Sequence, residues 1–368
     1  MSPERFDHLL ALVGPKIAKK DTSFRKSISA AERLALTLRF LATGDAQQSL
    51  RYSFRIGKAT VSKIISETCD AIYTSLAENY LSPPATQSDW LKIAEQFEEL
   101  WNMPHVIGCI DGKHIRIECP KLTGTLFHNY KGFFSIVLLV ICDASYCFTL
   151  FDLGQYGSNN DSGVLANSQM GQMFEDDAMN VPADKELSES NQQHLPYFLL
   201  GDEIFPLKTW LLRPYPGQNA SEEQRIYNYR HSRARRVIEN TFGILSALWR
   251  IFQKPIRGTV NNVEKYTLAC LALHNYLRLT ENAYYSPSGF IDSEDKDGNI
   301  IPGEWRQQRP NEEQCGGLRE LRPVRGSRAR NDAVLMRDQL KDYLNSEEGS
   351  VPWQLQYVRR TWHCAVQM

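Results

Sequence analysis

The chain has 368 residues, 42 Lys and Arg against 43 Asp and Glu, a formal net charge of -1 and a hydrophobic fraction of 42%. These values describe a globular protein with one large core and room for a smaller appended domain, and they exclude nucleic-acid binding through overall positive charge, so any such contact must come from local patches. The eight cysteines form no CxxC pair, no apolar run is long enough to cross a bilayer, and the opening MSPERFDHLL lacks the apolar core of a secretory leader, so an intracellular protein with reduced thiols and no membrane partner is expected.

From Met1 to Asp70, 12 Lys and Arg stand against 7 Asp and Glu, a local basic excess. Residues 29–44 predict a helix, with Ser29 as N-cap, Glu32 as the other half of a capping box, Leu34, Leu38 and Leu41 on one stripe, and Gly44 as the stop. Asp45 is a candidate cap for a short second helix. After Gly57, the stripe Val61, Ile64, Ile65 and Ile72 marks a third. Three helices with tight turns predict a helix-turn-helix-like domain over residues 1–85, in which Lys58, Thr60, Ser62 and Lys63 are candidates to meet DNA at the start of the last helix. A plain helical bundle packed on the next domain gives the same pattern, and the pattern alone does not choose between them.

The Pro- and Ser-rich stretch SPPATQSDW, residues 82–90, is a break and a boundary. Beyond it, VIGCIDGKHIRIEC, FFSIVLLVICD and YCFTLFDLGQYGS predict three neighbouring strands, the last two joined by a turn at residues 143–145. Asn160 or Asp161 is placed to cap a helix, LPYFLLGD predicts another short strand, and SEEQRIYNYRHSRARRVIENTFGILSALWRIF predicts a long helix with Ile238, Phe242, Leu245 and Trp249 on one stripe. Strands followed by helix, strand and helix describe an α/β layer over residues 100–280. Residues 281–368 are expected to form an irregular arm with one possible terminal helix at NDAVLMRDQLKDYLNSEEG.

Asp111-Gly112 between two strand-like runs is, taken alone, a hairpin signal. Asp111, Asp202 and Glu239 nevertheless share a feature: two are expected at strand ends and one early in a helix, each embedded in apolar sequence, where an acid needs a partner. A divalent cation is such a partner, and hard oxygen donors suit Mg²⁺ or Mn²⁺. Two ions about 4 Å apart can activate a water or hydroxyl and stabilise the leaving oxygen of a phosphodiester. Asp143, Asp152 and Asp161 compete for membership, but a turn, a solvated strand face and a helix cap explain them more simply.

The blocks GCIDGKHIRIECP, GSNNDSGVL, YFLLGDEIFPLKTWLLRPY and YNYRHSRARRVIENTFGILSALWRIF resemble those of the Harbinger superfamily of DDE transposases and the nucleases derived from them. The resemblance spans roughly residues 106–277 and implies an RNase H-like nuclease core, a mixed sheet flanked by helices, with Asp111, Asp202 and Glu239 as catalytic and metal-binding acids. It implies cleavage of DNA and joining of the new 3′ end to a target, with Asp111 and Asp202 sharing two ions and Glu239 completing the second. Ala247 and Leu248 depart from a basic residue common in the family.

Arg230, Arg233, Arg235 and Arg236 precede Glu239. Arg235 and Arg236, at i−4 and i−3, have a structural ion pair with it as the simple explanation. An acid site that receives a polyanion also needs flanking positive charge, which makes Arg233 and Arg236 candidates for the DNA backbone. His105, Cys109, His114 and Cys119 are strung along strands in a pattern poor for zinc, and His274 reads as a core histidine. The resemblance further implies a Myb-like DNA-binding partner and a nuclear location, for which Lys19 and Lys20 are a weak basic signal. A homo-oligomer is left open. The alternative reading is a domesticated, non-transposing DNA- or chromatin-binding scaffold that retains the fold.

Overall fold

Asp111-Gly112 does not turn the chain. In the computed structural model the pair lies inside one continuous strand, β1 (Val106–Arg116), so Asp111 is a mid-strand residue rather than a strand end. The structure describes residues 1–23, 26–159, 161–187, 194–217, 220–308, 317–320 and 331–366, without the side chains of 161, 162 and 361–366. Asn160 and the cap of Asp161 therefore lie outside the described residues.

Among the described residues five helices precede β1: α1 (Pro3–Ile17), α2 (Ala30–Thr43), α3 (Gln47–Phe54), α4 (Lys58–Tyr80) and α5 (Gln87–Trp101). Ser29 accepts the Glu32 amide, and Gly44 closes α2 in the left-handed conformation at φ 63°. Asp45 does not cap α3. Ala46 holds that position without a side-chain bond, and Asp45 instead faces Arg39 at 3.9 Å. α2 and α3 both pack on α4. Its apolar residues Val61, Ile64, Ile65 and Ile72 are buried in a hydrophobic core that continues through the sheet to Leu344.

β1 is followed by β2 (Ser135–Cys142) and β3 (Phe148–Tyr156), then by α6 (Asp161–Asn167) and α7 (Gln169–Glu175), which Ser168 separates and caps. β4 (Lys185–Glu186) and β5 (His194–Leu195) form a small ladder, and β6 (Phe198–Leu200) and β7 (Leu211–Leu212) rejoin the main sheet. α8 (Glu222–Leu248) starts with a complete capping box, Ser221 with Gln224, and at 27 residues runs about 40 Å. α9 (Val260–Thr280) follows and packs along α4. The main sheet has the order β3-β2-β1-β6-β7, antiparallel among the first three and parallel from β1 onward, a mixed sheet against which α5, α8 and α9 pack.

The arm after α9 is more ordered than its composition predicts. It carries α10 (Asn282–Tyr285), a ladder of β8 (Ser293–Glu294) with β9 (Ile300–Ile301), and β10 (Leu318–Glu320), which pairs antiparallel with β1 at Lys113–Ile115. α11 (Asn331–Asn345) is the expected terminal helix, and α12 (Gln354–Val366) is an additional one. On the edge of β1 away from β2, β6 covers Val106 to Cys109 and β10 covers Lys113 to Ile115, with Asp111 between these two stretches among the described residues.

Gly243 of α8 is the seat of the arm. Trp305 lies against it and donates its indole N–H to Asn240 Oδ1 at 2.9 Å, and a Cβ on Gly243 would stand 2.4 Å from Trp305 Cε3. Alanine in a helix is ordinarily better than glycine by up to about 1 kcal/mol, but forcing an atom into a filled core costs about 1–3 kcal/mol. Gly243→Ala is therefore expected to lower the melting temperature and expose residues 281–308 to trypsin; unchanged melting and protection would contradict this seating.

Candidate active site

The parallel register of β1 and β6 sets the first two acids. Cys109 pairs with Leu200, the last residue of β6, and Asp202 follows two residues on, close enough for the Asp111 charge to act on it. Asp202 lies just beyond the end of β6, and its Oδ1 accepts the Ile204 amide at 3.0 Å. Strand alternation places Cys109, Asp111 and Lys113 on one face. That face meets α8: the Cys109 thiol donates to Ala234 O at 3.5 Å, and Lys113 Nζ lies 5.3 Å from the Phe242 ring centroid.

α8 supplies the third acid together with a cation. Arg235 Nη1 is 2.7 Å from Glu239 Oε1, and Arg235 Nη2 is 3.7 Å from Asp202 Oδ2. Burial works against the Arg235 guanidinium, yet Asp111, Glu239 and Asp202 together strengthen its hold on the proton, in that order. All three acids thus act on one side chain. Their side chains grade from buried to open: 2% exposed for Asp111, 21% for Asp202 and 43% for Glu239.

A second cation serves the buried end. Lys113 Nζ pairs with Asp111 Oδ2 at 2.9 Å and with Glu320 of β10. Burial alone would lower the ammonium pKa, and Asp111 and Glu320 raise it instead. The Asp111 contact is an ion pair without hydrogen-bond alignment, so this buried oxygen takes no hydrogen bond, while Asp111 Oδ1 accepts the Gly112 amide at 2.9 Å. Burial, then the neighbouring Asp111 charge, push the Asp202 carboxyl up to about 6 against the pull of Arg235.

Three carboxylates, one with a buried oxygen that accepts no hydrogen bond, form a donor set suited to a hard divalent cation. With Arg235 and Lys113 seated among them, no group of three or more His, Cys, Asp and Glu is drawn close enough to hold a metal among the described residues. The donor chemistry fits such an ion, and the side chains would have to regroup around it.

The other expected site residues divide. Arg233 and Arg236 are buried and paired with Glu294 of β8 at 2.7 and 2.8 Å, and Arg233 also donates to Trp101 O and Asn102 Oδ1. Both turn to the arm and meet the same acid, Glu294, instead of Glu239. This corrects the expected DNA-backbone role: neither guanidinium is offered to a phosphate. Arg230 is likewise enclosed, donating to Gly349 O at 3.0 Å and Gln354 Oε1 at 2.7 Å. Lys58, Thr60 and Lys63 are exposed at the start of α4, Ser62 is half-buried, and Lys63 pairs with Glu67 at 3.7 Å. His105 and His114 hydrogen-bond to Leu195 O and Ser135 Oγ rather than to a shared ion, and His274 is enclosed by Tyr285 Oη and Tyr146 O. Lys113 and Glu320 were not anticipated. Lys113 was findable, two residues after Asp111 on the same strand face; Glu320, in the arm, carries no sequence signal.

Residues 110–275 match the DDE superfamily endonuclease family. The chain is similar to a Rattus norvegicus protein named "Putative nuclease HARBI1", 28% identical over 271 residues, which are 73% of this chain and 72% of that one. It is similar to the Arabidopsis thaliana Protein ALP1-like, 28% identical over 288 residues, 75% of this chain and 68% of that one. A third relative, the Arabidopsis thaliana protein named antagonist of like heterochromatin protein 1, is 26% identical over 252 residues, 68% of this chain and 63% of that one. No solved structure matches the chain.

Glu294→Ala strands two buried guanidinium groups and is expected to lower stability by about 3–5 kcal/mol in denaturant titration; a loss under about 1 kcal/mol would contradict the enclosed pairing. The pH response has two opposed parts. Burial holds His114 down to about 4 and His231 and His274 down to about 3, so the unfolded chain takes protons first and stability falls as pH drops below about 6.5. Asp202, pushed up to about 6 in the fold from the 3.8 of a free aspartate, works the other way, its ionisation lowering stability as pH rises through that window. The melting temperature of Asp202→Asn minus that of the parent should accordingly rise between about pH 4 and 6; a difference flat with pH would refute the buried, acid-flanked setting of Asp202.

Proposed function

We propose that this chain, which belongs to the Harbinger superfamily of DDE transposases and derived nucleases, is a metal-dependent DNA endonuclease with Asp111, Asp202 and Glu239 as its catalytic acids. The observation that carries this reading is that Arg235 of α8 joins Asp202 to Glu239 while Asp111 acts on the same guanidinium. The sheet order with its antiparallel first three strands suits an RNase H-like core. Asp111 and Asp202 would share two Mg²⁺ or Mn²⁺ ions, and Glu239 would complete the shell of the second. Bound ions of this kind supply an activated water or hydroxyl and neutralise the departing oxygen of the phosphodiester.

The chain's own residues do the rest. Asp202 ionises near pH 6 and so enters neutral solution as a carboxylate ready to accept a cation. Glu239, the most open of the three, borders the side from which a phosphate backbone arrives. Lys113 and Glu320 hold Asp111 in its seat on β1. Strand transfer to a target, a DNA surface at Lys58, Thr60, Ser62 and Lys63 in a helix-turn-helix-like unit, a Myb-like partner, a homo-oligomer and a nuclear location complete the proposal on family grounds.

A second reading, a DNA- or chromatin-binding scaffold that no longer cleaves, has one observation in its favour: Arg235 and Lys113 already neutralise the acids. The heterochromatin term in a relative's name points the same way. Asp202→Asn is expected to cut Mg²⁺-dependent nicking of terminal-repeat DNA by at least about a hundredfold, since even outer-shell changes cost 10–100-fold, while circular dichroism stays unchanged. Equal nicking by parent and variant would contradict the acid assignment, and DNA retention with no nicking by the parent would favour the scaffold.

A further inference from the structure

On the nuclease reading of the acid trio, we propose that Arg235 is a resident counter-ion that a divalent cation must displace, and that its released guanidinium pairs with a DNA phosphate, so that metal and DNA bind cooperatively. The inference starts from what each cation of the site has left when the acids are taken. Lys113 has two partners, Asp111 and Glu320, and only Asp111 is a proposed ligand, so Glu320 keeps it paired. Among the described residues Arg235 has no such reserve. Its ion pairs go to Asp202 and Glu239, and the remaining acid acting on it most strongly is Asp111.

Arg235 is also lightly tethered. Its Nε makes no hydrogen bond, its contact to Asp202 is long at 3.7 Å, and one bond of 2.7 Å to Glu239 anchors it. Arg233, two residues earlier, makes three bonds of 2.6–3.0 Å to Glu294, Trp101 and Asn102. Loading a metal on the bare protein would leave the Arg235 guanidinium largely buried with no anion, an arrangement that is strongly disfavoured. A phosphodiester at the open, Glu239 side supplies the missing anion in a geometry that guanidinium matches with two parallel bonds. Metal binding then favours DNA binding, and by linkage DNA favours metal to the same degree.

Two measurements on the full chain test this without reading cleavage. Mn²⁺ binding is followed by the loss of the free-ion electron paramagnetic resonance signal, in the absence of DNA. Affinity for a fluorescent short duplex is followed by anisotropy with and without Ca²⁺ at constant ionic strength. Arg235→Gln is expected to bind Mn²⁺ at least about fivefold more tightly than the parent, and the gain in duplex affinity on adding Ca²⁺ should shrink by a similar factor. Arg235→Lys, which keeps the charge but cannot bridge two carboxylates, should fall between them and serves if the glutamine variant does not fold. Mn²⁺ affinity unchanged or weakened in both variants, or an undiminished Ca²⁺ effect, would overturn the counter-ion role while leaving the nuclease reading intact. No Mn²⁺ binding by any form, with no nicking by the parent, would overturn both.

Discussion

Asp111 sits at the centre of β1, 2% exposed, and an ionised carboxylate at such a place must be matched by opposite charge. Much of the site follows from that requirement. Lys113, two residues on, meets the carboxylate from the same strand face, and Arg235 reaches across from α8. Among the described residues, β6 meets this edge of β1 only up to Cys109 and β10 from Lys113 onward, with Asp111 between them. The chain leaving β6 carries Asp202 to this level, where burial first and the Asp111 charge second raise its carboxyl pKa.

The arm beyond the matched endonuclease segment belongs to the same electrostatic framework. Glu320 holds Lys113, Glu294 holds Arg233 and Arg236, and Trp305 fills the place that Gly243 leaves vacant on α8. α8 is thus fixed on one face by the arm and leaves Arg235 and Glu239 toward the acids. The guanidinium groups just before Glu239 have different work: Arg230, Arg233 and Arg236 are enclosed and structural, and Arg235 faces the site.

The strands were legible because their signals are local. Apolar runs bounded by turns identify β2, β3 and β6, and the Ser221 and Ser29 caps mark helix starts, each a matter of a few neighbouring residues. The three acids were legible for a related reason, since an acid inside apolar sequence demands a partner wherever it occurs. What could not be read was pairing over long separations. Asp111-Gly112 satisfies the local rule for a hairpin, and pairing with β2 from Cys109 to Arg116 keeps it extended. Arg233 and Arg236 looked available to DNA because their partner, Glu294, lies 58 to 61 residues away in a stretch whose composition suggested no order. Asp45 had the chemistry of a cap, but Arg39 draws its side chain elsewhere.

Convergence of three acids distant in sequence is the claim on which the functional account rests, and iron-directed backbone cleavage reads it in one step. Fe²⁺ added to the folded protein with ascorbate and peroxide produces hydroxyl radicals only near the bound ion, and the fragments are mapped by mass spectrometry. The account predicts cuts clustered around residues 111, 202 and 239 together, suppressed by excess Mg²⁺. Cuts confined to one of these segments, or scattered over surface acids and indifferent to Mg²⁺, would contradict it.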